Sequence, residues 1–158
     1  MILVTVGSQK FQFNRLLQKV DELIEKGIIK DKVFAQIGVS DYKPNHYEYI
    51  DFMTQDDFNK RLDECNLLIT HAGTGVIVNA VKRGKKVIAT PRLAKYGEHV
   101  DDHQIQLIQQ FDELNFIEPC YDLEKLSDAI SKTKTRKYKK YTSNTEAIIE
   151  SIKEFIEK

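Results

Sequence analysis

The chain has 158 residues, a length that fits one domain, and 41% of them are hydrophobic, enough for a core and too many for a wholly disordered chain. Its 24 basic and 24 acidic residues cancel to a net charge of zero, so no global field argues for a nucleic-acid partner. Two cysteines, Cys65 and Cys120, cannot build a disulfide scaffold or a four-ligand zinc site, and a reducing compartment is the expectation.

No apolar run approaches the ~18 residues of a membrane span. The apolar start, Met1 to Val6, stops at Gly7 and lacks the basic region and length of a signal peptide, which points to a cytoplasmic chain. Ile2 to Val6 then reads as a first strand. Phe13, Leu16, Leu17, Val20 and Ile24 recur at helical spacing, and Gly27 ends that run. Val33 to Ile37 reads as a second strand and Tyr47 to Phe52 as a third. Thr54 to Asp57 starts a helix with Phe58, Leu62 and Cys65 on one face. Leu67 to Thr70 is a fourth strand, Val76 to Lys82 a short helix closed by Gly84, and Lys86 to Thr90 a fifth strand stopped by Pro91. A helix over Asp101 to Leu114, a short strand over Asn115 to Glu118 and a helix capped by Asp122 follow.

Near-continuous apolar strands separated by helices predict a Rossmann-like α/β fold, a parallel sheet with helices on both faces. Ligands of such sheets lie beyond the carboxyl ends of the strands. Residues 132–142 form a basic run with no acid, expected as a linker. Beyond it, Ser143 and Glu146 have capping-box spacing before Ile148, Ile149, Ile152, Phe155 and Ile156. A terminal helix over 143–158 either packs on its own domain or is presented to another chain.

Three loops have the composition to bind a ligand. Thr70-His71-Ala72-Gly73-Thr74-Gly75 joins a buried strand to a helix start, where free N–H groups and the positive dipole end make an anion site. The same glycines also suit a tight packing turn. The loop from Pro91 to Gln104 is long and dense in carboxylates, imidazoles and a carboxamide that could bond sugar hydroxyls. Asp101 or Asp102 could equally be a helix cap, and three convergent metal ligands are not evident there. Gly7-Ser8 ends the first strand and permits close backbone approach, without a dinucleotide fingerprint.

These segments resemble the glycosyltransferase family 28 C-terminal domain. The resemblance is carried by Val4 to Ser8 with Phe13 to Leu16, Phe52-Met53, Leu68 to Gly75, Gly84 to Ile88, and Pro91-Arg92 with Gly97 to Gln104. It extends to the soluble donor-binding subunit of two-chain transferases, those of bacterial exopolysaccharide and capsule synthesis and of the dolichol-linked N-acetylglucosaminyltransferase. It spans residues 1–104; the remainder fits by pattern only.

The resemblance implies one lobe of a GT-B glycosyltransferase. It implies a UDP-sugar donor, no cofactor, and inverting transfer without a bound metal to a lipid-linked saccharide. It also implies a membrane-anchored glycosyltransferase subunit as partner, which would supply the general base and recruit the chain to the inner face of the membrane. Gly73, Thr74 and Gly75 would hold the diphosphate, and Asp102, His103 and Gln104 the sugar. Gly7, Ser8, His71, Arg92, Glu98 and His99 join them as expected substrate-binding residues. Phe52-Met53 lies either at the uracil ring or in the core. The family's ribose-binding Glu is replaced by Asn79, which can accept from a hydroxyl but carries no charge.

Two other readings compete. One is a nucleotide-binding regulatory module without transfer activity. The other is an NAD-dependent oxidoreductase, against which the missing fingerprint counts, as does the lack of an acidic residue ending the second strand. Nucleic-acid binding through residues 132–140 is disfavoured, since such runs are usually solvated faces.

Overall fold

The computed structural model describes residues 1–7, 10–142, 147 and 150. Ser8 lies outside the described residues. So does the helix expected over 143–158, apart from residues 147 and 150.

Six parallel strands form one sheet in the order β3-β2-β1-β4-β5-β6. They are β1 (Ile2–Thr5), β2 (Val33–Gln36), β3 (Glu48–Ile50), β4 (Leu67–His71), β5 (Lys86–Thr90) and β6 (Glu118–Pro119). The order reverses between β1 and β4, so their carboxyl ends flank the crevice in which doubly wound sheets bind ligands.

Side chains alternate across each central strand. Ile2, Val4, Ile69 and Ile88 enter one core with α1 (Asn14–Glu25), which contributes Leu16, Leu17 and Val20. Leu3, Leu68, Val87 and Ala89 enter the other, under α2 (Gln55–Glu64), α3 (Thr74–Lys82) and α4 (His103–Glu113). The last described helix, α5 (Leu126–Thr133), joins the α1 side through Leu126, Ala129 and Ile130. Cys65 and Cys120 are free and sit in opposite cores. Among the described residues no helix is long and apolar enough to cross a membrane.

Local turn and cap geometry accounts for several boundaries. The Thr54 side chain accepts the Asp57 N–H and starts α2 where expected. Gly84, at φ 70°, ends α3 in the left-handed region, as the sequence predicts. Helix α3 begins at Thr74 rather than Val76, because Gly73 serves as its cap. Helix α4 begins at His103 rather than Asp101; Asp101 Oδ1 accepts the His103 N–H from outside the helix.

The sixth strand is displaced from 115–118 to Glu118–Pro119. Asn115 takes φ 61° at the end of α4, and the Phe116 N–H still bonds back to Phe111 O, so extension starts later. Asp122 caps a 3₁₀ turn, Leu123–Lys125, that leads into α5. The basic run expected as a linker starts inside α5 and is fastened to the sheet. Arg136 meets Glu118, Asp112 and the Asn115 carboxamide, and Tyr138 donates to Glu118.

Candidate functional site

A cleft of about 590 Å³ opens at the carboxyl ends of β1 and β4. Gly7, Gly73 and the start of α3 form one end. Met53, Gln55, Phe58, Asn59 and Asn79, from α2 and α3 and the loop before them, form the other. Among the described residues that line it, none is an acid, a lysine or an arginine. The first N–H groups of an α-helix have no intrahelical acceptor. In α3 the first cap-to-helix bond is from Ile77 N–H to Gly73 O, and Gly73 supplies no capping side chain. The amides of Thr74, Gly75 and Val76 are therefore open to an anion at the positive end of a helix dipole, with no carboxylate among the described lining residues to oppose it.

His71 forms the floor. It is 3% exposed, and neither ring nitrogen has a hydrogen-bond partner among the described residues. Burial, then the neighbouring Arg92 and His99 charges, push its pKa down to about 3, so the ring is neutral. The ring also explains two glycines. A Cβ on Gly7 would stand 2.5 Å from His71 Nε2, and one on Gly73 would stand 2.5 Å from Cε1. Gly75 differs, because a Cβ there meets nothing within 4 Å among the described residues. Its glycine leaves room at the helix start that the fold itself does not require.

The structure thus brings Gly7, His71, Gly73, Thr74, Gly75 and Asn79 into one cleft. It does not bring Arg92, Glu98, His99, Asp102, His103 or Gln104 into that lining. Several of these are occupied elsewhere. Gln104, 7% exposed, accepts the N–H groups of both Ala72 and Arg92 through Oε1, bridging the ends of β4 and β5. Arg92 is fully buried; its Nη2 donates to Val6 O and its guanidinium lies over the Phe13 ring. Burial lowers its pKa to about 10, which leaves it charged at neutral pH. Both Glu98 oxygens take Arg15, and Oε1 also takes the Leu93 N–H. Asp102 Oδ1 accepts the Ala94 N–H and closes its loop. His99 faces Asp101 at 3.3 Å and the Phe11 ring.

Met53 lines the cleft and also packs on the core, whereas Phe52 is exposed. Sequence reasoning missed Gln36, Gln55 and Asn59. Gln36 carries a signal, a polar residue at the carboxyl end of an apolar strand. Asn59 carries none, being one polar residue among many on α2.

The chain belongs to the family of the glycosyltransferase family 28 C-terminal domain, whose sequence model matches residues 1–158. It is 25% identical over 114 residues to the UDP-N-acetylglucosamine transferase subunit ALG13 of Candida albicans. That match covers 71% of this chain and 36% of the Candida subunit, so the chain spans about a third of that relative's length. Its fold is similar to the solution structure of ALG13, with a TM-score of 0.62 at 20% identity, covering 96% of each chain. It is also similar to MurG of Acinetobacter baumannii, with a TM-score of 0.60 at 17% identity, covering 97% of this chain and 49% of MurG. The fold is a Rossmann-like lobe of the GT-B type.

Proposed function

We propose that this chain is the donor-binding half of a UDP-sugar-dependent hexosyltransferase. The UDP-sugar lies across the cleft, its diphosphate on the free N–H groups of α3. The single observation that carries this reading is the open, uncharged helix start at the strand-order reversal, where Gly75 leaves space for a ligand. A relative named as a UDP-N-acetylglucosamine transferase subunit supports it.

Sugar transfer breaks the bond between the anomeric carbon and the diphosphate. Negative charge grows on the leaving phosphate oxygen, and preorganised N–H donors stabilise it without bound metal. The acceptor hydroxyl attacks the opposite face of that carbon, with inversion, and yields its proton to a general base. We assign that base to a membrane-anchored partner subunit, which recruits the chain to the inner face of the membrane. The acceptor is a lipid-linked saccharide of exopolysaccharide or capsule synthesis.

The test is transfer by the reconstituted pair in excess EDTA. The chain alone is expected to bind UDP and transfer almost nothing, and the pair to turn over without metal. Full transfer by the chain alone, or a requirement for added Mn²⁺, would contradict it. A non-catalytic nucleotide-binding module is the second reading. It draws support from Asn79, whose carboxamide is taken up by Asn59 and Arg83. Donor binding without turnover in the pair would favour it.

A further inference from the structure

We infer that the cleft binds nucleoside diphosphates with little discrimination between ribose and 2′-deoxyribose, because a relay of amides leaves its nucleoside end lined by neutral carboxamides. The inference rests on the donor-binding reading above.

The relay begins outside the cleft. Arg83 Nη1 lies 2.7 Å from both oxygens of Asp63, which fixes the guanidinium. Arg83 Nε donates to Asn79 Oδ1 at 2.9 Å. A guanidinium only donates, so the Asn79 oxygen must face Arg83 and its amide nitrogen must face away. That nitrogen donates to Asn59 Oδ1 at 2.7 Å, and Gln55 Nε2 donates to the same oxygen at 3.0 Å. The Asn59 oxygen is thereby spent on two donors. Its NH₂ group is the polar end left over, and it has no hydrogen-bond partner among the described residues.

Asn59 and Asn79 both line the cleft. Asn79 stands five positions past Thr74 in α3, roughly 7.5 Å along the helix axis. With the diphosphate on the helix start, the sugar ring of the nucleoside reaches this wall, and Met53 and Phe58 offer apolar surface beside it. What the ring meets there is the Asn59 N–H donor and the oxygen of Gln55, whose Nε2 is spent on Asn59; both belong to neutral carboxamides. A ribose hydroxyl can accept from the one or donate to the other, but either bond is neutral. Losing one neutral hydrogen bond weakens binding about two- to tenfold, whereas losing one to a charged group costs tenfold or more. A carboxylate at either asparagine would convert the wall into a charged acceptor that requires the hydroxyl.

The experiment is calorimetric titration of the whole chain with UDP and with 2′-deoxy-UDP, repeated on Asn59→Asp and Asn79→Glu. The wild-type affinities should differ by tenfold or less. At least one variant should widen the ratio beyond tenfold while its melting temperature stays close to the wild type's. UDP binding with 2′-deoxy-UDP more than tenfold weaker in the wild type would overturn the inference alone. So would folded variants that both keep the wild-type ratio. If neither nucleotide binds, the donor-binding reading falls and this inference falls with it.

Discussion

Arg15 and Glu98, 83 positions apart in sequence, meet in a two-pronged ion pair with Nε and Nη2 each 3.0 Å from a carboxylate oxygen. The Glu98 side chain is 1% exposed and that of Arg15 26%. Arg15 also lies over the Tyr96 ring, and Gln12 donates to Tyr96 O and Gly97 O. Together these fasten the loop after β5 to the start of α1, two segments beside the cleft.

Arg15→Met should therefore leave a buried carboxylate with the Leu93 N–H and the nearby Arg92 charge but without its ion-pair partner. Breaking a buried pair costs about 3–5 kcal/mol, and the partial exposure of Arg15 brings the expected loss to about 2–3 kcal/mol. Glu98→Gln keeps the Leu93 bond and should cost less. Urea midpoints measure both. UDP affinity should change little in either folded variant. A Glu98→Gln protein that kept its stability but lost sugar-nucleotide binding would return Glu98 to the substrate.

His71 gives a pH dependence with a defined sign. Its folded pKa is depressed from 6.5 to about 3, so below pH 6.5 the unfolded chain takes up a proton that the folded chain refuses. The stability linked to this ring is full above pH 6.5. It is lost as pH falls from 6.5 toward 3, at up to about 1.4 kcal/mol per pH unit. His71→Gln keeps a neutral polar side chain and should flatten that slope. Denaturant midpoints at pH 7, 6 and 5 read it directly, and equal slopes in the two proteins would contradict the buried, neutral ring.

Whatever rests on local pattern was legible in the sequence. The apolar runs at β1, β2, β4 and β5, the turn at Gly73 to Gly75 and the stop at Gly84 all follow from residues within a few positions of one another. Hence the parallel sheet and a ligand-facing loop after β4 are both expected from the sequence, while the strand order that sets this loop at the reversal is seen only in the fold. Long-range polar partners carry no such signal. Glu98 and Gln104 look like sugar-binding groups in a dense loop, yet their oxygens serve Arg15 and the backbone of Leu93, Ala72 and Arg92. Asn59 looks like any solvated residue of α2 until α3 places Asn79 against it.

Arg136 is similar, since a run of lysines around it reads as a solvated tether. It bonds Glu118, whose side chain is 5% exposed, as well as Asp112 and Asn115. Arg136→Gln should destabilise the fold by about 1–3 kcal/mol, the cost of leaving a charged group short of its partner. Lys137→Gln and Lys140→Gln, on exposed side chains, should stay within about 0.5 kcal/mol of the wild type. Equal effects at all three positions would mean that the segment is not anchored through Arg136.

The most direct test of the donor site is a calorimetric titration of UDP into the wild type and Gly75→Val. A Cβ at Gly75 meets no atom of the described residues within 4 Å, so the variant should melt close to the wild type. Its added bulk lies where the diphosphate must approach the N–H groups of α3. The wild type should bind UDP saturably and the folded variant not at all. Undiminished UDP affinity in Gly75→Val would contradict the donor site.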